Sequence, residues 1–167
     1  CSIVDIEIEK LLRKLRAILL FRISSLKSTP EIFNFQSALA IQCFTNEYLY
    51  SENEDEKKAL ENLERTVKHD LTRNKQPNSQ SILCLASYKP LNYYEWCDKL
   101  FITKEIKEVY IRQVLEPKQE VIFKSNFVPL KEIKNKISSK VRDQYEINPY
   151  PRWESLGLPL RSVEISK

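Results

Sequence analysis

The chain has 167 residues, of which 42% are hydrophobic and 30% are charged, and its formal net charge is +4. This length suits a single domain with a sizeable core, and the composition is typical of a globular protein rather than an intrinsically disordered one. The apolar runs are too short for a transmembrane helix. Lys10, Arg13, Lys14 and Arg16 interrupt the first apolar segment and are expected on the polar face of its helix, so we expect neither a signal peptide nor a membrane partner.

The cysteines and the single histidine bear on metal binding and on cellular compartment. Cys1, Cys43, Cys84 and Cys97 stand far apart in the chain, and His69 is the only histidine. Zinc sites usually draw ligands from close pairs such as C-x-x-C, and this chain has no such pair, so we predict no metal site. We interpret Cys43 and Cys84 as small core residues of a reduced, cytoplasmic protein.

The beginning of the chain allows two interpretations. It starts with Cys1 and Ser2 and contains no methionine. Either the chain is a fragment of a longer protein, or it is a lipoprotein with a lipidated N-terminal cysteine. Helix-forming residues follow almost at once, without the flexible tether of a lipoprotein, so the sequence favours a fragment.

The first two predicted helices are strongly apolar. Between residues 4 and 26, apolar residues recur at spacings of three and four, which predicts an amphipathic helix. Thr29 and Pro30 predict the start of a second helix, with Thr29 as the N-cap and Pro30 in the first helical position. This helix continues to about Tyr50 and is apolar on all sides, so we expect it at the centre of the fold.

The middle of the chain contains three predicted helices. Ser51 and Glu54 fit a capping box that opens a third helix, and the loop composition of residues 73–79 ends that helix. Two short helices are predicted over residues 79–88 and 93–101.

Two more helices are predicted towards the end of the chain. Thr103 is the predicted N-cap of a helix that Glu116-Pro117 breaks or kinks. For Val121–Phe123 we favour a further helical turn over a short strand. Apolar residues recur every four positions from Ile133 to Tyr145, which predicts a last helix that ends before Asn148-Pro149.

These elements predict an all-α fold. We expect an irregular bundle of about six to eight helices over residues 1–147, followed by an extended segment over residues 148–167. No internal repeat of helical-repeat length is recognisable in the sequence, so we expect no tetratricopeptide array in this chain.

Three segments resemble one known family. They are Val141-Arg142-Asp143-Gln144-Tyr145-Glu146-Ile147-Asn148-Pro149-Tyr150-Pro151-Arg152-Trp153, Ala38-Leu39-Ala40-Ile41-Gln42-Cys43-Phe44-Thr45-Asn46-Glu47-Tyr48-Leu49-Tyr50, and Arg112-Gln113-Val114-Leu115-Glu116-Pro117. They are similar, in the family's order along the chain, to its VRxQYExNPYPRW, ALAxQCFxNEYxY and RQVxEP segments. The family comprises bacterial proteins that join an N-terminal helical region, often containing tetratricopeptide repeats, to a class I S-adenosylmethionine-dependent methyltransferase domain.

The resemblance implies a protein of two parts. In the family, the methyltransferase sheet and its glycine-rich cofactor loop follow the PYPRW segment. This chain has one glycine, Gly157, so no G-x-G loop can bring backbone amides close to a cofactor. The resemblance therefore implies a non-catalytic N-terminal part that positions an acceptor or covers the active site. No cofactor is expected in this chain, and S-adenosylmethionine would bind in the methyltransferase domain.

Asn46 and Glu47, near the end of the second predicted helix, are the first candidates for a binding site. Buried amides and carboxylates need partners, because an unsatisfied polar group in a protein interior costs about 1–3 kcal/mol. Two interpretations are open. The residues tie loops and neighbouring helix ends to the core, which we favour, or they line a groove for a substrate or partner.

The last segment supplies the remaining candidates for substrate or partner binding. Its prolines fix φ and favour an extended strip after the last helix. Aromatic rings beside a fixed cation suit stacking and anion recognition, although the same rings would also pin the strip to the helical body. The candidate residues are Tyr145, Asn148, Tyr150, Arg152 and Trp153.

Two other functions remain open, and catalysis has little support. A serine or cysteine nucleophile needs a base, and His69 stands in the charged stretch Lys68-His69-Asp70, so we predict no catalytic residue. The first alternative is a stand-alone helical protein-interaction module. The second is an RNA-binding domain that uses the lysines of residues 124–142, and it is less favoured because lysine-rich faces are usually solvated.

Overall fold

The computed structural model describes residues 5–126 and 136–147. These two ranges belong to two separate units. Within the two described ranges every regular element is helical and none is a strand, so the predicted all-α fold is confirmed. No helix in those ranges is both long enough and apolar enough to cross a membrane.

The first two helices begin at side-chain caps. Helix α1 spans Ile6–Phe21 and is capped by the Asp5 carboxylate, and a short 3₁₀ turn at Ile23–Ser25 follows. Helix α2 spans Pro30–Thr45. The hydroxyl of Thr29 accepts a hydrogen bond from the first turn of α2, and the proline stands where its missing N–H costs nothing. The predicted start of α2 is therefore confirmed.

Helix α2 is shorter than predicted, because it ends at Thr45 and not near Tyr50. Glu47 and Tyr48 lie in the left-handed region, with φ angles of 57° and 56°. The Tyr48 amide donates to the Cys43 carbonyl over 2.8 Å, which closes the helix in the Schellman pattern. That pattern usually has glycine at its left-handed position, and this chain has none there, so the sequence offers no signal for the end of α2.

Helix α3 spans Glu54–Thr72 and opens with a capping box. The box is formed by Asn53 and Glu56, whereas the predicted pair, Ser51 and Glu54, lies two residues too early. The Asn53 side chain accepts from the Glu56 amide over 2.8 Å, and the Glu56 carboxylate accepts from the Asn53 amide over 3.0 Å. Both pairs fit the same sequence pattern, and the structure uses the later one.

Helix α4 spans Ser79–Ala86 and is followed by 3₁₀ turns at Leu91–Tyr93 and Cys97–Lys99. The first of the two short predicted helices is therefore present, and the second is wrong. Short turns replace a regular helix in this stretch, and they place aromatic and aliphatic side chains in the core. The residues that do so are Leu91, Tyr94, Trp96, Cys97 and Leu100.

A longer helical stretch follows without interruption. It consists of α5 (Lys107–Tyr110), a π-helical segment (Ile111–Leu115) and α6 (Glu116–Asn126). The chain stays helical through Pro117, so of the two predicted outcomes, a break or a kink, the break is wrong. Proline lacks an N–H and its ring collides with a carbonyl of the preceding turn. A wider π-helical turn stands directly before the proline, and such a turn leaves more room for the ring, which is consistent with the helix continuing past it.

Three further predictions concern the ends of this stretch and the last helix. Thr103 does not cap α5, and its hydroxyl instead shares a hydrogen bond with that of Ser79 over 3.1 Å. Residues 121–123 lie within α6, so the helical interpretation of this segment is confirmed. Helix α7 spans Lys136–Ile147 and overlaps the last predicted helix.

The centre of the first unit is α4, and the prediction that α2 lies there is wrong. The five residues from Ile82 to Ala86 are at most 3% exposed, and α4 contacts α1, α2 and α3. Helix α2 contacts α4 but keeps one side in solvent, where Glu31, Asn34 and Ala38 are exposed. These residues form a narrow exposed stripe at spacings of three and four, and only two of them are polar, so the apolar composition of the helix hides this stripe in the sequence.

Candidate functional site

The carboxyl end of α4 is where three polar side chains from distant parts of the chain meet. The last carbonyl groups of a helix have no partner within the helix. The Ala86 carbonyl accepts from Gln113 Nε2 over 3.0 Å and from the Tyr48 hydroxyl over 3.1 Å. The Ser87 carbonyl accepts from Arg16 Nη1 over 3.4 Å. We call Arg16, Tyr48 and Gln113 the α4 cap.

Both the nitrogen and the oxygen of the Gln113 side-chain amide form hydrogen bonds inside the protein. The residue is fully buried. Its Nε2 donates to the carbonyls of Ala40 and Ala86, and its Oε1 accepts from the Leu91 amide over 3.1 Å. Ala40 belongs to one of the three family-like segments and Gln113 to another, so the fold brings two of these segments into direct contact.

Arg16 is a buried cation that makes no ion pair with any described residue. Its side chain is 1% exposed. Nη2 donates to the carbonyls of Tyr50 and Ser51 over 3.0 and 3.3 Å. The guanidinium carbon lies 4.0 Å from the centre of the Tyr88 ring. Carbonyl dipoles and the ring face therefore offset the cost of removing the charge from water.

Tyr88, whose ring faces this cation, is also hydrogen-bonded to a buried carboxylate. The Tyr88 hydroxyl donates to Glu56 Oε1 over 2.8 Å, and Glu56 is 3% exposed. Burial, with this hydrogen bond as the next cause, raises the pKa of Tyr88 well above its usual value. The hydroxyl consequently stays protonated at neutral pH and works as a donor that holds α3 to the end of α4.

The two thiols near the guanidinium are not nucleophiles at neutral pH. Burial raises the pKa of Cys43 to about 11, and the positive charge of Arg16 opposes that rise only in part. Burial also raises the pKa of Cys84 to about 12. Thiols need the thiolate form to react, so both residues act as small buried groups, as predicted.

Asn46 and Glu47 both lie in the turn that closes α2. Asn46 is the C-cap residue, and both of its side-chain amide atoms are buried without a hydrogen bond. Gln42 Nε2, one turn earlier in the helix, and the Tyr50 hydroxyl are also buried without a hydrogen bond. Burial raises the pKa of Tyr50, and the nearby Gln42 amide lowers it in part. The two side chains are nevertheless not placed well enough to form a hydrogen bond. We call Gln42, Asn46, Glu47 and Tyr50 the α2 turn cluster.

The other predicted site residues fall largely outside the described ranges. Tyr145 lies in α7, but its side chain is not among those described. Asn148, Tyr150, Arg152 and Trp153 all follow the last described residue. Their proposed roles in stacking and anion recognition stay predictions.

Arg16 is buried, whereas its sequence context predicts one more exposed basic residue of α1. A usable signal was present. Arg16 stands four residues from both Leu12 and Leu20, so it lies in line with apolar residues on the face that enters the core. The basic residues Lys10, Arg13 and Lys14 are exposed, as expected.

A surface cleft lies beside Tyr88, between α3 and the end of α4. Its volume is about 380 Å³. Tyr88, Tyr94, Leu60 and Leu85 supply its aromatic and apolar lining. Its charged lining consists of Glu52, Glu61, Glu64, Lys57 and Lys89. We call this site the α3–α4 cleft.

Comparisons with protein-family models, with curated proteins and with solved structures found no match for this chain. The resemblance to methyltransferase-associated proteins therefore stays a prediction carried by the three segments. Within the described part of the chain, no group of three or more histidine, cysteine, aspartate or glutamate residues is arranged to hold a metal ion.

Proposed function

We propose that this chain is the non-catalytic helical part of an S-adenosylmethionine-dependent methyltransferase-like protein. In this proposal it positions the methyl acceptor or covers the active site of a methyltransferase domain. The observation that carries the proposal is the contact between two family-like segments, which Gln113 joins to Ala40 across 73 residues of sequence. Two family-like segments that belong to one folded unit are expected to contact each other. This contact therefore supports treating the two segments as parts of one unit.

The α2 turn cluster is the part of this unit best suited to meet an acceptor or a neighbouring domain. Glu47 of the cluster and the adjacent Tyr48 both hold left-handed dihedrals, and such strain is often found at functional sites. The cluster also holds buried amide and hydroxyl groups without hydrogen bonds. These groups are buried in the structure, so a ligand or domain would reach them only if the turn rearranged, and each hydrogen bond it then supplied would remove a cost of about 1–3 kcal/mol.

The coding sequence beyond Lys167 tests the proposal. We expect it to encode a strand followed by a G-x-G-x-G loop, because that loop brings backbone amides close to the cofactor. In the longer protein, Arg152→Ala and Trp153→Ala should lower methyl transfer strongly while leaving the melting temperature nearly unchanged. If activity falls only in step with stability, the family-like strip is structural and its proposed role in methyl transfer is wrong.

A stand-alone interaction module is the second candidate, and the outer face of α1 favours it. Leu11, Ile18 and Phe21 are each more than half exposed and lie on one side of the helix. Exposed apolar stripes of this kind mark interaction surfaces. Under this alternative, the gene encodes no cofactor loop, and Leu11→Ser with Ile18→Ser abolishes association with a partner without lowering stability.

A further inference from the structure

We infer that the α3–α4 cleft binds a lysine or arginine side chain from a basic segment of a partner protein. This inference goes beyond the proposed function and does not depend on it. The cleft volume of about 380 Å³ falls within the range of roughly 300–1,000 Å³ typical of ligand pockets. Tyr88 and Leu60, which are half-buried, supply most of the apolar surface on which a long aliphatic stem can pack, and Tyr94 and Leu85 add the small parts of their side chains that reach the cleft.

Carboxylates surround this apolar surface. Glu52 and Glu61 form no ion pair with any described residue, and Glu64 pairs with Lys68 over 2.9 Å. Lys57 lines the cleft but pairs with Glu54, which does not line it. Burial raises the pKa of Tyr94, and the negative charges of Glu64 and Glu52 raise it further. The cleft therefore presents a negative potential to an incoming group.

The protein already places one of its own cations at this surface. The ammonium nitrogen of Lys89 lies 4.7 Å from the centre of the Tyr94 ring. A cation held within about 6 Å of a ring centre is attracted by the negative face of the ring. Lys89 thus demonstrates that the Tyr94 face accepts an ammonium group, and it competes with any cation that arrives from outside.

The combination of lining groups selects a long cationic side chain over a metal ion. Metal ions need several oxygen ligands converging on one point, and the described part of the chain holds no such group of residues. Lysine and arginine instead pack their stems on apolar surfaces and carry the charge at the end, where carboxylates can meet it. The rings and leucines match the stem, and Glu52 and Glu61 match the charge.

Titration of the chain with a pentalysine peptide tests the inference. The net charge of +4 repels such a peptide, so binding requires a local negative site. We expect saturable binding, and we expect it to move the NMR ring-proton signals of Tyr94 and Tyr88. The double variant Glu52→Gln with Glu61→Gln should weaken binding by about tenfold or more, which corresponds to about 1.4 kcal/mol.

Matched variants separate the cleft from general charge effects. Glu120→Gln and Asp55→Asn together remove the same charge as the double variant from exposed positions outside the cleft lining, and this pair should leave binding nearly unchanged. Lys89→Ala removes the competing ammonium group and should tighten binding several-fold. Lys58→Ala removes the same charge from an exposed site on α3 outside the lining and should have a smaller effect.

Two outcomes would overturn the inference. The first is equal weakening by the cleft pair and the control pair, which would show that only net charge matters. The second is the absence of binding, or binding that does not shift the NMR ring-proton signals of Tyr94 and Tyr88, because the peptide would then not contact the cleft.

Discussion

Arg16 shows how a single buried cation is accommodated without a carboxylate beside it. The guanidinium contacts three carbonyl groups and faces the ring of Tyr88. One of these carbonyls, that of Ser87, lies at the end of α4, where the helix dipole places partial negative charge. Arg16 thereby joins α1 to the segment after α2 and to the end of α4.

Replacing Arg16 should therefore destabilise the fold strongly. Arg16→Ala leaves three carbonyl acceptors without their donor and opens a cavity, so we expect a loss of about 3–5 kcal/mol in the free energy of unfolding. Urea denaturation measures this loss. Arg13→Ala, on the exposed side of the same helix, serves as the control and should stay within about 0.5 kcal/mol of the parent. Equal midpoints for the two variants would show that Arg16 is not a structural cation.

The buried thiols predict how stability depends on alkaline pH. Burial raises the pKa of Cys43 to about 11 and that of Cys84 to about 12, whereas a thiol in an unfolded chain titrates near about 8.5. The native state keeps these protons after the unfolded chain has released them. Their stabilising contribution is therefore complete below about pH 8.5 and is lost as pH rises through the native pKa values.

We accordingly expect the urea midpoint to be nearly constant between about pH 7 and 8 and to fall above about pH 9. Tyr88 and Tyr94, whose pKa values are also raised mainly by burial, act in the same direction at higher pH. Replacing Cys43 and Cys84 with alanine should make the decline shallower when each variant is compared with its own midpoint at pH 7. A midpoint that rises above pH 9 would contradict the assignment of these thiols to the core.

Among the helices, starts were easier to predict from sequence than ends. Thr29 and Pro30 mark the start of α2 through chemistry that acts within one turn. The end of α2 rests on left-handed dihedrals at Glu47 and Tyr48, and neither residue type signals such a conformation. The persistence of helix through Pro117 depends on the π-helical segment before it, which no local pattern announces.

The end of α2 provides a test at the scale of one element. Glu47→Gly should stabilise the protein by roughly 0.5–1 kcal/mol, because glycine adopts a left-handed φ without the steric cost that glutamate meets. Ala38→Gly, at an exposed position inside α2, should instead destabilise it by a similar amount. Thermal unfolding of the two variants measures both effects. Destabilisation by both would show that side-chain contacts of Glu47 outweigh its backbone strain.

For the whole molecule, the sequence was sufficient for the fold class but not for the arrangement of the core. Periodic apolar residues identified most helices, because that pattern is local. The contacts that organise the core are not local, since Arg16 reaches Ser87 across 71 residues and Gln113 reaches Ala40 across 73. The central place of α4 and the α4 cap follow from such contacts. The sequence pointed to Asn46 and Glu47, whose role in binding stays a prediction, and it pointed neither to the burial of Arg16 nor to the α3–α4 cleft.

Under the proposed function, this chain is the helical part of a methyltransferase-like protein and does not itself hold the cofactor. Calorimetric titration with S-adenosylmethionine tests it most directly, applied to residues 1–167 and to the protein encoded when the reading frame continues past Lys167. We predict no binding at micromolar concentration by residues 1–167, because a chain with one glycine cannot form the cofactor loop. We predict micromolar binding by the longer protein. Micromolar binding by residues 1–167 alone, or none by the longer protein, would contradict the account.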